Sequence, residues 1–326
     1  MKIIVIGLGS MGKRRIRLLK KISGDIEIIG VDSNSERVEF VKKEYEIGAY
    51  DSIAAAMEKN PDIECAVIST SPLSHAKIIN ECLNRGLHIF TEINLVDDMY
   101  DENMKLAEEK GKILFLSSTF LYRDEIKYIS DAVENCSSKI NYSYHIGQYL
   151  PDWHPWENFK DFFVGDKRTN GCREIFAIEM PWLTKAFGEI ADMSVIKSKN
   201  SSLNIDYMDN YMVLLKHANG NKGMLAVDVV SRKAVRNLEI FSEDLHLFWD
   251  GSPTGLRQYD IEKKEERKID LYETIDQMEG YSAFVIENAY QAELEAFVSE
   301  VQGNKCAKYS FEQDKEVLKI IDQIEG

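Results

Sequence analysis

The stretch KIIVIGLGSMGKRRIRLLKKI, residues 2–22, decides the reading of the fold. An apolar run leads into a glycine cluster, and the cluster leads into a basic segment of helical period. Gly7, Gly9 and Gly12 stand in G-x-G-x-x-G spacing. That pattern carries meaning only where a strand precedes it and a helix follows, as they do here. Gly7 then permits a tight turn, Gly9 lets a pyrophosphate approach the backbone, and Gly12 lets the helix pack close to the strand. Leu8, Ser10 and Met11 complete the loop. The helix start offers free N–H groups and the positive end of its dipole to phosphates. Asp32 closes the next apolar run, 20 residues past Gly12. A carboxylate there accepts hydrogen bonds from a ribose diol and repels a 2′-phosphate, so the expected cofactor is NAD, with NADP less favoured. Ser33 lies beside it, and Arg37 pulls the other way, because an arginine attracts a 2′-phosphate. Asp32 also has a plainer reading, as the cap of the helix begun by DSNSERVEF (32–40).

Outward from this loop the chain keeps a βαβ rhythm. KIIVIG (2–7), IEIIGVD (26–32), CAVIST (65–70), LHIFTE (87–92) and KILFLS (112–117) read as buried strands. Helical patterns lie near 11–22, 35–44, 51–59, 73–85 and 98–110. Strands alternating with helices of this length predict a parallel sheet, hence an α/β dinucleotide-binding (Rossmann) domain over 1–120. The rhythm changes after a helix near 123–135. KINYSYHIGQYL, YMVLLKHANGNKGMLAVDVV and NLEIFSEDLHLFWD are longer alternating runs, with turn chemistry at HANGNKG (217–223) and WDGSPTG (249–255). Residues 121–326 are therefore expected to form an α+β domain with an open, mainly antiparallel sheet, closed by helices near 283–300 and 312–325.

Composition narrows the function. The chain has 326 residues, 44% of them hydrophobic, and a formal net charge of −15. Nucleic-acid binding wants a basic stripe, and the longest basic cluster here is GKRR (12–15), too short to make one. Five cysteines, Cys65, Cys82, Cys136, Cys172 and Cys306, are odd in number and widely spaced, which predicts reduced thiols rather than a disulfide frame or a zinc site. The opening apolar run is too short for a signal peptide, and no stretch approaches the roughly 20 apolar residues of a membrane helix. The expectation is a cytoplasmic protein that acts on neither membrane nor nucleic acid and holds no metal.

Further landmarks then align. STSPLSHAKI (69–78) follows the strand at 65–70, and CLNRGLHIFTEINL (82–95) adds a helix, a glycine and a strand. With the glycine loop, this order resembles the Gfo/Idh/MocA oxidoreductase family across essentially the whole chain. The resemblance implies NAD(P)-dependent oxidation or reduction of sugars, inositols or sugar nucleotides, and an open sheet that mediates homodimers or homotetramers. It places Thr70, Ser71, Pro72 and His75 beside the cofactor. It also implies Glu92 and Ile93 there, although the family carries E-K-P where this chain has Glu92, Ile93 and Asn94. A cis bond before a non-proline residue costs about 2.5–4 kcal/mol, so this loop is expected to be trans and altered in shape. The family's D-x-x-x-H falls within NGCREIFAIEMPW (170–182): counting from Gly171, on Ile175 and Glu179, or, one residue earlier, with Ile178 at the histidine position. Neither register supplies a histidine.

YLPDWHPWENF (149–159) follows the first long strand of the second domain and, by the same resemblance, borders the substrate cleft. With FFVGDKRTNGCRE it is similar to members from surface-polysaccharide and nonulosonic-acid pathways. Trp153 and Trp156 offer flat faces for sugar rings or bury the loop. His154 titrates near neutrality and is the expected acid–base group. Glu174 and Glu179 are the alternatives if burial raises their pKa values, unless they pair with Arg173 or Lys185. Lys167, Arg168 and Arg173 are candidates for an anionic substrate group. The leading expectation is hydride transfer between nicotinamide and a carbinol or carbonyl carbon of a sugar or nucleotide-sugar. The alternatives are a non-catalytic NAD- or sugar-binding protein, and a lyase or hydrolase that recycles tightly bound NAD.

Overall fold

A computed structural model describes residues 1–153, 157–278, 282 and 284–326. Contacts divide the chain into two units, Met1–Thr119 with Tyr290–Glu316, and Phe120–Ala289 with Val317–Gly326. A single cut near residue 120 misses the return of the chain: it re-enters the first unit inside one late helix and leaves it inside the next.

The first unit carries β1 (Lys2–Ile6), α1 (Ser10–Ile22), β2 (Glu27–Val31), α2 (Ser35–Tyr45), β3 (Gly48–Tyr50), α3 (Ile53–Lys59), β4 (Cys65–Ile68), α4 (Pro72–Asn84), β5 (His88–Thr91), α5 (Tyr100–Lys110) and β6 (Leu114–Leu116). The strands pair in parallel in the order β3-β2-β1-β4-β5-β6. The chain winds outward in both directions from the β1/β4 neighbours, which makes the crevice beyond their carboxyl ends the switch point where such sheets bind ligands. Residues Ile3 to Ile6 of β1 and all of β4 are buried, as strands covered on both faces must be. The three-residue β3 was not legible as a strand. Phe90 and Phe115 stack with ring centroids 5.4 Å apart, and Phe297 meets both edge-on.

The second unit carries α6 (Asp124–Glu134), β7 (Asn141–Gly147), α7 (Gly171–Phe187), β8 (Ile190–Ser198), β9 (Asn210–His217), β10 (Lys222–Asp228), β11 (Val235–Phe241), β12 (His246–Trp249), β13 (Arg257–Asp260) and β14 (Glu265–Lys268). Its eight-stranded sheet runs β14-β13-β12-β11-β7-β10-β9-β8, antiparallel throughout except for the β7/β10 pair. The turns read at 217–223 and 249–255 connect β9 to β10 and β12 to β13. Trp182 of α7, Trp249 of β12, and Tyr142 and Tyr144 of β7 are fully buried between helix and sheet. The last helices, α8 (Glu287–Val301) and α9 (Phe311–Glu325), are the two that cross between units. No helix among the described residues is long and apolar enough to cross a membrane.

Candidate functional site

The glycine loop lies at the carboxyl end of β1, and its glycines are required by contact. Gly7 has φ of +89°, and a Cβ there would stand 2.6 Å from the Ser69 carbonyl oxygen. A Cβ on Gly12 would stand 1.8 Å from the Gly7 carbonyl oxygen, so α1 can approach the turn only with glycine. At Gly9 the nearest atom to a Cβ is an Arg37 nitrogen at 3.8 Å, which leaves the loop's outer side open. Helix α1 begins at Ser10 with Gly9 at its cap and no side-chain oxygen capping it. A helix start of this kind turns N–H groups and the positive end of its dipole toward phosphate oxygens. This cradle fits a dinucleotide pyrophosphate.

Asp32 is buried, and its carboxylate accepts from the Leu8 N–H at 2.8 Å through one oxygen and from the Asn34 N–H at 2.8 Å through the other. The cap of α2 is Asn34, which accepts from the Glu36 and Arg37 N–H groups, so the capping alternative for Asp32 is replaced. Arg37 lies 3.5 Å from Asp32 and is half exposed, and Ser33 is exposed beside them. Met11 accepts a contact from Arg14 through its sulfur.

Across the switch point, Thr70 and Ser71 end the β4 loop and Pro72 occupies the first turn of α4. The Ser74 hydroxyl meets Thr70 Oγ1 at 2.8 Å and donates to the Ser71 carbonyl at 2.7 Å. His75 is buried, with Nε2 3.0 Å from the Thr70 carbonyl and Nδ1 2.7 Å from the Asn94 amide. Burial pushes its pKa down, which keeps the ring neutral. The Ile93–Asn94 bond is trans.

Glu92 is buried. It forms a two-pronged pair with the fully buried Arg15 of α1, 2.6 Å at Nε and 2.9 Å at Nη2. Arg15 also meets Glu293 at 3.0 Å, while Glu293 accepts from the Ser118 N–H and the Ser117 and Thr119 hydroxyls. The Arg15 guanidinium lies over the Phe90 ring at 4.5 Å, and that of Arg14 over Tyr290 at 4.5 Å. No spacing along the chain signals this cluster, because Glu293 lies about two hundred residues from Glu92.

In the second unit, His154 and Trp156 lie outside the described residues. Trp153 is half-buried; its indole N–H donates to the Gln148 carbonyl, and its ring stands 3.4 Å from where Gly171 would carry a Cβ. Glu174 and Glu179 both lie on α7 and differ sharply. Glu179 is buried and accepts from the Tyr144 hydroxyl at 2.8 Å, the Trp182 N–H at 2.7 Å and Arg236 Nε at 2.9 Å. Its ionic partner is thus Arg236 of β11, in place of the anticipated Arg173 or Lys185. Glu174 keeps a little surface exposed, but its Oε2 is buried with no hydrogen-bond partner among the described residues. Burial pushes this carboxyl up to about 8. Arg173 is buried against the last helix, pairing with Asp322 at 2.8 Å and with Glu325. Lys167 and Arg168 are exposed in a short turn capped by Asp166. His88, His217 and His246, which the sequence left unassigned, bond the Ile113 N–H, Tyr142 with the Gly188 carbonyl, and Glu239 respectively. No group of three metal-ligating side chains occurs among the described residues.

Comparison with known proteins adds to this geometry. Residues 1–118 match the Gfo/Idh/MocA oxidoreductase family model, described as an NAD-binding Rossmann fold. The chain is 28% identical over 139 residues to 4-carboxy-2-hydroxymuconate-6-semialdehyde dehydrogenase of a Sphingobium species, a match spanning 41% of this chain and 43% of that relative. It is 23% identical over 334 residues to myo-inositol 2-dehydrogenase of Thermotoga maritima, covering 98% of this chain and 93% of the relative. Among solved structures, UDP-N-acetylglucosamine 3-dehydrogenase of Acidithiobacillus ferrooxidans superposes with a TM-score of 0.75 at 18% identity, covering all of this chain and 96% of that one.

Proposed function

We propose that the chain belongs to the Gfo/Idh/MocA oxidoreductase family, whose NAD-binding Rossmann model matches its residues 1–118, and that it is an NAD-preferring dehydrogenase of a sugar, polyol or nucleotide-sugar. The observation that carries the reading is the interlock of Gly7 and Gly12, with Asp32 bonded to the Leu8 N–H of the same loop. Glycine backbone and the α1 start hold the pyrophosphate; Asp32 receives the ribose hydroxyls that NADP would replace with a charge. Arg37, beside Asp32, leaves a residual affinity for NADP. The whole-length relative acting on an inositol and the structural neighbour acting on a UDP-sugar support a polyhydroxylated substrate.

When bound, the nicotinamide supplies the hydride acceptor or donor. Oxidation of a carbinol also removes a proton from its oxygen, and a positioned base speeds that step by roughly 10²–10⁴. Among the described residues, Glu174 is our candidate for this proton transfer. Its Oε2 has no competing partner among the described residues, and a carboxyl near 8 exchanges protons readily around neutral pH. Glu179 serves instead to hold Arg236, Tyr144 and Trp182 in place, since its oxygens are already engaged. Trp153, against the start of α7, offers a ring face to the substrate. His154 and Trp156 retain the roles their residue types suggest, as base and as a second stacking face. Lys167 and Arg168 remain the candidates for an anionic group on the substrate, while Arg173 fixes α9.

The solvent face of the large sheet supports self-association. Ile196, Met212, Leu214 and Met224 are 73%, 56%, 57% and 49% exposed, and strand register places Ile196 beside Met212 and Leu214 beside Met224. A contiguous apolar stripe of this kind marks an interface, here with a second copy of the chain. A cytoplasmic location is consistent with five free cysteines.

A second reading, a binding protein without turnover, is favoured by Ile93 in place of the family lysine. A screen of inositols, hexoses and UDP-hexosamines with NAD, followed by nicotinamide absorbance, separates the two. Turnover that disappears in Glu174→Gln supports the dehydrogenase; binding of both ligands without reduction supports the binder.

A further inference from the structure

Asn94 stands where the family resemblance leads one to expect proline, and it is not idle. Its side chain is buried, with the Oδ1 end of the amide placed 2.7 Å from Nδ1 of His75, while Nε2 of His75 meets the Thr70 carbonyl at 3.0 Å. A backbone carbonyl only accepts, so Nε2 carries a proton. Burial keeps the imidazole neutral, so Nδ1 is a bare acceptor and needs a donor. The amide of Asn94 is the group placed to give one. Its two orientations differ by half a turn of the terminal torsion and exchange Oδ1 with Nδ2: with Oδ1 toward the ring, the buried Nδ2 makes no hydrogen bond among the described residues and faces only the Tyr100 hydroxyl, whereas with Nδ2 toward the ring it meets the acceptor that Nδ1 offers.

The consequence reaches the glycine loop. The Thr70 carbonyl belongs to the segment whose Ser69 oxygen and Thr70 methyl stand 2.6 and 2.9 Å from where a Cβ on Gly7 would be. We propose that Asn94 is a positioning residue of the dinucleotide site: it holds His75 in the Nε2–H tautomer, which fixes the Thr70 carbonyl and with it the wall of the glycine turn. The charged group that acts on His75 is Glu92, two residues before Asn94 and itself paired with Arg15. On the far side, the Tyr100 hydroxyl gives its proton to Asp314 at 2.5 Å, so it is no donor to this group. A proline at this position has no side-chain donor, so Asn94 supplies a polar latch that a proline cannot.

This inference rests on the switch point being the dinucleotide site, and its test separates the two. The full chain, labelled with ¹⁵N only in histidine, is examined by NMR without ligand, with His75→Gln identifying the resonances. The expected state is a protonated Nε2 and a bare Nδ1, unchanged between about pH 6 and 8. A protonated Nδ1, or a doubly protonated ring, overturns the proposal whether or not any nucleotide binds. Asn94→Leu, which keeps size but removes the donor, is then expected to mix the tautomers and weaken NADH binding roughly tenfold. A folded Asn94→Leu chain with the parent tautomer and parent affinity also overturns it. Failure of the unsubstituted chain to bind NADH, with the tautomer as expected, counts against the site assignment and not against the latch.

Discussion

Glu174 and Glu179 share a helix, five residues apart, yet Glu179 is saturated with donors while Glu174 has a buried oxygen that no described residue meets. The sequence named both as candidates but had no means to separate them. Pairing with Arg236 depends on β11, more than fifty residues downstream, and no spacing rule reaches that far. The difference has a pH signature. An unfolded chain releases the Glu174 proton near the ordinary value of 4.5, whereas the folded chain holds it until about 8. Within that window the folded state binds more protons, so stability falls as pH rises. Glu174→Gln removes this slope, and its melting temperature should gain on the parent steadily from about pH 5 to pH 8. A gap that does not change with pH would mean the carboxyl titrates normally. In turnover, oxidation should rise through about pH 8 in the parent as Glu174 becomes a base, and this limb should vanish in the glutamine variant. The place of Asp32 was more directly legible, because the glycine spacing and the strand end locate the residue without tertiary knowledge. Asp32→Ser should cut NADH affinity about tenfold and move preference towards NADPH, measured as the ratio of the two dissociation constants.

At the scale of elements, the first unit was legible because buried parallel strands announce themselves as apolar runs, and glycines mark where a helix must touch a turn. The three-residue β3 escaped, being too short to show a period. In the second unit the hairpin turns were readable and β8 was not, since its sequence IADMSVIKS mixes polar and apolar residues on a half-exposed strand. Two substitutions test what holds these elements. Gly12→Ala forces a carbon to within 1.8 Å of the Gly7 carbonyl oxygen and should cost about 1–3 kcal/mol in unfolding free energy by denaturant titration, together with most NADH binding. Glu179→Ala strands Arg236 in the interior, and breaking a buried pair in this way costs roughly 3–5 kcal/mol. Glu179→Leu combined with Arg236→Leu should recover much of that loss. A double variant as unstable as the single one would show that packing around Tyr144 and Trp182, and not the stranded charge, is responsible.

At the scale of the molecule, the chain divides its labour between a parallel unit with a nucleotide cradle and an antiparallel unit with an apolar outer sheet face. That face was foreseen only through family resemblance; alternation along β9 shows which residues point outward, but not that Met212, Leu214 and Met224 line up across strands. If a second copy covers it, Met212→Glu with Leu214→Glu should shift the sedimentation coefficient from an oligomer to that of a 37.4 kDa monomer while leaving NADH affinity unchanged. An unshifted coefficient would place the interface elsewhere. The central claim remains the nucleotide cradle, and one titration meets it most directly: the full chain against NADH and, separately, NADPH, read by energy transfer from protein to nicotinamide fluorescence. NADH should bind in the micromolar range common to such cofactors and NADPH at least tenfold more weakly. Binding of neither, by a chain shown to be folded, would contradict it.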